Sequence, residues 1–207
     1  MKFSKSSVFI NIQNWNNTRG QRIAFQKAIR IKPIKIVIGA NNLFQKHWIP
    51  VEINVLNILK ERDWKRYFRP NTIDAILAEH VWEHLTPDEG RQAISLCYKY
   101  LKPGGHVRIA VPDGYHPDTF YKNLVKPGGT GPGSDDHKVL YTYTILQKLF
   151  ISSGFHVRIL EYFDTKHIFH YAKWDKKDGF VRRSSRFDPR NKTKKLSYTS
   201  LIMDGIK

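Results

Sequence analysis

Ile73-Asp-Ala-Ile-Leu-Ala-Glu-His-Val-Trp-Glu-His-Leu85 and, past one helical stretch, Cys97-Tyr-Lys-Tyr-Leu-Lys-Pro-Gly-Gly-His-Val-Arg-Ile-Ala-Val-Pro-Asp113 decide how this chain folds. Ile73–Glu79 is an apolar, β-branched run of the length of a buried strand, and His106–Val111 is another. Between them, Thr86-Pro87-Asp88-Glu89 reads as a helix start. Threonine caps, proline suits the first helical position because its missing N–H is not needed there, and the acids face the positive end of the helix dipole. Ala93, Ile94, Cys97, Tyr98 and Leu101 recur at helical spacing, and Lys102-Pro103-Gly104-Gly105 stops the helix.

The same alternation extends outward. Residues 20–31 carry Ile23, Ala24, Ala28 and Ile31 at the spacing of a short basic amphipathic helix. Lys35–Gly39 reads as a buried strand and Trp48–Ile53 as a second, with a helical turn over 63–68 that Pro70 ends. Beyond the quoted stretch come a glycine- and proline-rich loop over 112–133, a helix over 136–152 stopped at Gly154, and a strand over 155–162. Aromatic, basic β-type segments around a turn at 175–179 follow, then a strand over 196–203. Strands alternating with helices through 35–162 imply a parallel α/β sheet. The strands at 155–162 and 196–203, with no clear helix between them, are expected to pair antiparallel at one edge. One domain results: a basic N-terminal extension 1–34, a core 35–162, a basic aromatic β-type insertion 163–195 and the strand 196–203.

Composition narrows the class. The 207 residues are 41% hydrophobic and 13% aromatic, as in a globular protein, and no apolar run approaches the ~20 residues of a membrane span. The one cysteine excludes a disulfide framework, and Cys97 reads as a packed residue on the apolar face of its helix. A cytoplasmic location is expected, which makes the Asn-x-Thr triplets at Asn16 and Asn191 chance matches. The net charge of +17 is uneven: residues 1–51 hold nine Lys/Arg and no acid, 52–164 fourteen of each, and 165–207 twelve against four. Such ends either attract an anionic partner or form a solvated face.

In an open α/β sheet a ligand binds beyond the carboxyl ends of the strands, where strand order reverses. The residues there are Gly39-Ala40-Asn41-Asn42, Glu52 with Asn54 and Asn57, Glu79-His80, and Pro112-Asp113-Gly114. In its Glu-His-Leu and Leu-Lys-Pro-Gly-Gly elements, in that order and spacing, the quoted stretch resembles class I S-adenosylmethionine-dependent methyltransferases. The pattern from Tyr143 to Phe155 follows in many members, and the resemblance covers about 35–162.

The resemblance implies a Rossmann-like, three-layer α/β/α fold, mostly parallel with an antiparallel C-terminal edge, and S-adenosylmethionine as cofactor. By it, Gly39, Ala40 and Asn41 hold the loop against the methionine part, Glu52 accepts from both ribose hydroxyls, Asn57 meets the adenine edge, and Glu79 and His80 line the floor beneath the sulfonium. The family's usual Gly-x-Gly-x-Gly turn is degenerate, since Asn41 and Asn42 follow Gly39-Ala40. Asparagine tolerates the left-handed conformation such a turn needs. Only Gly39–His47 separate the first strand from Trp48, too few for a full helix.

Other motifs stay open. His137 and Asp113 are candidate catalytic residues for a proton-bearing acceptor; His137 could equally cap a helix, and His116 shares the ambiguity. Gly128–Gly133 reads either as a mobile lid or as a plain turn, not a phosphate loop, because no Gly-Lys-Ser/Thr follows. His80-Val-Trp-Glu-His84 matches a zinc-peptidase pattern, but His80 ends a strand and Pro87 follows closely, so no metal is expected and Glu83 and His84 read as anchors of the turn. The acceptor is a small molecule or a polyanion. The alternative to an enzyme is a catalytically silent module on the same fold, holding RNA or another polyanion through its aromatic, basic tail.

Overall fold

The computed structural model describes residues 18–41, 45–191 and 196–207. Asn16, Asn42 and the first half of the basic N-terminal extension lie outside the described residues. Seven strands form one sheet: β1 (Lys35–Ile38), β2 (Ile49–Val51), β3 (Ile73–Glu79), β4 (Leu101–Pro112), β5 (His156–Phe163), β6 (Phe169–Tyr171) and β7 (Ser200–Ile206), in the order β2-β1-β3-β4-β7-β5-β6. The first four are parallel, and β7 lies antiparallel to both β4 and β5. This is the Rossmann-like sheet with an antiparallel C-terminal edge.

The helices are α1 (Thr18–Ala28), α2 (Glu61–Tyr67), α3 (Pro87–Tyr100), α4 (Thr119–Val125) and α5 (Tyr143–Ser152). The α3 start forms as its residues dictate: Thr86 Oγ1 accepts from Glu89 N at 3.3 Å and Glu89 Oε2 accepts from Thr86 N at 2.8 Å. Lys102–Gly105 bulge from the β3–β4 ladder, which pairs Ile73 with Leu101 and then Ala75 with His106. A side chain at Gly105 would meet Asp74 O at 2.9 Å, so glycine is required there.

Three local expectations change. The helix expected over 136–152 is a 3₁₀ turn at Ser134–Asp136, extended chain, and then α5, because Lys138 N bonds Glu83 O at 2.7 Å and Thr142 caps the helix. The loop over 112–133 contains α4, capped by Asp118, which accepts from Phe120 N at 2.8 Å. The β-type insertion pairs as a strand only over Phe169–Tyr171.

The sheet separates two unlike layers. On one face, α1, α2, α3 and α5 close a core that includes Ile36, Trp64, Ile76, Ile94, Cys97 and Phe150. On the other, Val37, Ala75, Leu77, Ala110 and Ile202 are covered by Trp174, Val181 and Phe187 of an irregular segment, residues 172–191, here called the strap.

Candidate functional site

Strand order reverses between β1 and β3, and the predicted turn lies at the carboxyl end of β1. Gly39 has φ +61°, and a β-carbon there would come within 2.8 Å of Val81 Cγ2, so only glycine lets the chain turn this close. Ala40 is fully buried. Asn41, at φ +39°, adopts the left-handed turn expected of it, and its N–H donates to Glu52 Oε1 at 2.8 Å. One carboxylate thus ties the end of β2 to the turn after β1. Its second oxygen has no partner among the described residues. Asn57 is used locally, its Oδ1 accepting from Leu59 N at 2.9 Å.

The end of β3 is engaged by the strap. Glu79 accepts from Arg182 N at 3.0 Å and Arg183 N at 2.8 Å, one oxygen each. His80, at φ +56°, sets its Nδ1 2.9 Å from Glu83 Oε1 and its Nε2 3.0 Å from Ser200 Oγ, which itself donates to Arg183 O at 2.8 Å. Glu79 and His80 therefore sit side by side at one strand end, with the strap against both.

The two catalytic candidates lie in different surroundings. Asp113 is fully buried and accepts from Phe163 N at 2.7 Å and Tyr115 N at 2.9 Å. Burial pushes its carboxyl up to about 6 against those two N–H groups. Beside Phe163, the His116 ring stacks on Tyr121 at 4.0 Å, and burial lowers it to about 4. His137 is buried too; its Nδ1 lies 2.6 Å from Val125 O, and its ring meets His84 edge-on at 4.8 Å.

Sequence reasoning missed the residues that hold the strap. Glu161, fully buried on β5, accepts from Trp174 Nε1 at 2.9 Å, Ser185 N at 2.7 Å and Thr199 Oγ1 at 2.6 Å. Arg108 on β4 makes a two-pronged pair with its cross-strand neighbour Asp204 (2.7 and 2.8 Å), reaches Gly179 O at 2.7 Å and stacks over Trp174. The signal was present: a charge at an inward strand position between apolar neighbours needs a buried partner.

The sheet order and this strand-end turn define a Rossmann-like domain with its candidate site at the switch point. A family model described as a methyltransferase domain matches residues 41–109. An uncharacterized methyltransferase of Bacillus cereus is 30% identical over 120 residues, 56% of this chain and 54% of that one; one of Bacillus cytotoxicus is 31% identical over 104 residues, 48% and 49%. The chain spans about half the length of the curated relatives it matches. Among solved structures, a SAM-dependent methyltransferase from Archaeoglobus fulgidus superposes with TM-score 0.51 at 16% identity, covering 92% of this chain and 95% of that one. One from Mesorhizobium loti superposes with TM-score 0.50 at 9% identity, covering 92% and 100%. The chain is similar to class I S-adenosylmethionine-dependent methyltransferases, in sequence over part of its length and in fold over most of it.

Proposed function

We propose that the protein transfers a methyl group from S-adenosylmethionine to a polar or anionic acceptor, and that it does so in the cytoplasm. Among the described residues no helix is long and apolar enough to cross a membrane. The observation that carries the reading is the Glu52–Asn41 contact, which holds a carboxylate at the switch point of the sheet with one oxygen open among the described residues. That donor set fits a sugar diol, because a carboxylate accepts from two hydroxyls and the turn fixes its position. Gly39, Ala40 and Asn41 would hold the methionine part and Glu52 the ribose. Asn57 would lie near the adenine. Glu79 and His80, already bonded within the chain, would act by fixing the wall beneath the sulfonium. S-adenosylmethionine, when bound, supplies a methyl group already activated as a sulfonium, so the chain has chiefly to orient an acceptor in line with it. His137 or Asp113 would serve where the acceptor must lose a proton.

Calorimetric titration with S-adenosylmethionine and S-adenosylhomocysteine tests this. Binding to the full chain that Glu52→Ala weakens by ~100-fold, about 2.7 kcal/mol, is the expected result. Absence of binding to the unmodified chain overturns it.

A second reading has its own observation. Arg30, Lys32 and Arg69 line a groove with Gln26 and Thr72, away from the Glu52 turn. With Glu79 satisfied by the strap, this favours a silent module that binds RNA or another polyanion. RNA affinity falling steeply with salt, with no cofactor binding, would establish it.

A further inference from the structure

The fold brings His137 to Glu83 and His84, two potential metal ligands far from it in sequence. Glu83 and His84 sit in the 3₁₀ turn Trp82–His84 after β3, and His137 begins the extended chain before α5. One ligand atom from each lies within 4.8 Å of the other two. The His80-x-x-Glu-His84 spacing alone did not give this set. His80 is turned to Ser200, and a residue from a distant loop takes its place.

The surroundings are those of a ligand set. His137 Nδ1 is held 2.6 Å from the backbone oxygen of Val125, and His84 Nδ1 lies 3.4 Å from Asp136 Oδ2. A carbonyl or carboxylate on Nδ1 fixes the tautomer and leaves Nε2 as a free lone pair, the arrangement that ordinarily backs metal-bound imidazoles. Glu83 supplies an independent observation. Its side chain is essentially inaccessible; its Oε1 faces His80 Nδ1 at 2.9 Å, and its Oε2 has no hydrogen-bond partner among the described residues. A buried carboxylate with one oxygen left open gains from a cation that meets it.

We infer that Glu83, His84 and His137 form a binding site for one divalent transition-metal ion of the zinc class. Two imidazoles and a carboxylate are a common three-ligand set for such ions and leave a coordination position open. Tetrahedral zinc at ~2.0–2.1 Å from each ligand atom sets those atoms about 3.4 Å apart, so the widest separation must close by about 1.4 Å through side-chain rotation. Lys138 Nζ, 2.9 Å from Asp136 Oδ1, competes with His84 for that carboxylate and keeps it out of the ligand set.

The test is cobalt titration of the untagged, chelator-stripped full chain, followed by visible absorption. The expected result is saturation at one Co²⁺ per chain, with the ion displaced by Zn²⁺. His84→Ala and His137→Ala should each abolish the bands, Asp136→Asn should weaken binding by about 10- to 100-fold, and His156→Ala, at an exposed position, should leave it unchanged. No bands with the unmodified chain, or bands undiminished in both histidine variants, overturns the site. Should the variants fail to fold, X-ray absorption of the zinc-loaded unmodified chain decides. An imidazole signature supports the assignment, and an oxygen-only shell overturns it.

Discussion

The two faces of the sheet are covered by different means. The helical face is closed by apolar side chains whose helices satisfy their own backbone; α3 is tied down chiefly by Ala93, Ile94, Cys97 and Tyr100, all fully buried. The strap has little backbone hydrogen bonding of its own, so the sheet supplies partners. Arg158 takes Lys173 O, Gln45 takes Lys176 O, His106 meets Asp178 O and Arg108 takes Gly179 O. In the other direction, Gln45 receives Phe180 N, Glu79 receives Arg182 N and Arg183 N, and Glu161 receives Ser185 N. A layer without α-helices leaves many of its amides and carbonyls to polar side chains. It is consequently specified by single residues, where the helical layer is specified by pattern.

The sharpest break in that comparison is Glu161→Ala. It leaves the Trp174 and Ser185 donors without their acceptor, takes one of two from Thr199, and should cost on the order of 3–5 kcal/mol in urea unfolding. Amide exchange should locate the loss in the strap first, with faster exchange at Ser185 than in α3. Equal acceleration in both layers would show that the strap is not a separately held unit.

The second prediction concerns Asp113 and His116, near the carboxyl end of β4, where two buried titratable groups oppose each other. Asp113 is raised from 3.8 to about 6, so its contribution is present below pH 3.8 and lost as pH rises through about 6, roughly 3 kcal/mol in all. His116 is lowered from 6.5 to about 4, so its contribution is present above pH 6.5 and lost as pH falls through about 4, again roughly 3 kcal/mol. Between pH 4 and 6 the two slopes cancel. Asp113→Asn should expose a stability that rises with pH across this window, and His116→Phe one that falls. Parallel pH profiles for the two variants would refute the opposition.

The smallest effect belongs to the helical face. Ile94→Val removes one methyl group from a packed core and should cost about 0.5–1.5 kcal/mol, with strap exchange unchanged relative to the rest of the molecule. A selective effect on the strap would mean that the layers are coupled through the sheet.

What could be read from the chain follows the same division. The strands β1, β3, β4 and β5, the capped start of α3 and the antiparallel edge were legible because burial imposes a period or an apolar run, and caps have local chemistry. At the site, Gly39 and Asn41 were legible as left-handed turn positions, and Glu52 as a strand-end acid. The strap was not, because its partners are distant residues: Phe169–Tyr171 pairs as a strand, yet the equally aromatic stretch after it is bound side chain to backbone. The proximity of His137 to Glu83 was hidden for a similar reason. The helical period of 136–152 was broken by Lys138 N bonding Glu83 O, a contact no local pattern announces.

β7 lies between β4 and β5, so the hairpin of β5 and β6 joins the parallel strands only through residues 200–206. Until that segment inserts during folding, the apolar flank of β4 and that of β5 are both open edges, each able to template pairing with another molecule. The insertion requires contact between residues nearly a hundred positions apart, such as His106 with Ile206, which makes it a slow step and places the risk of self-association in the interval before it.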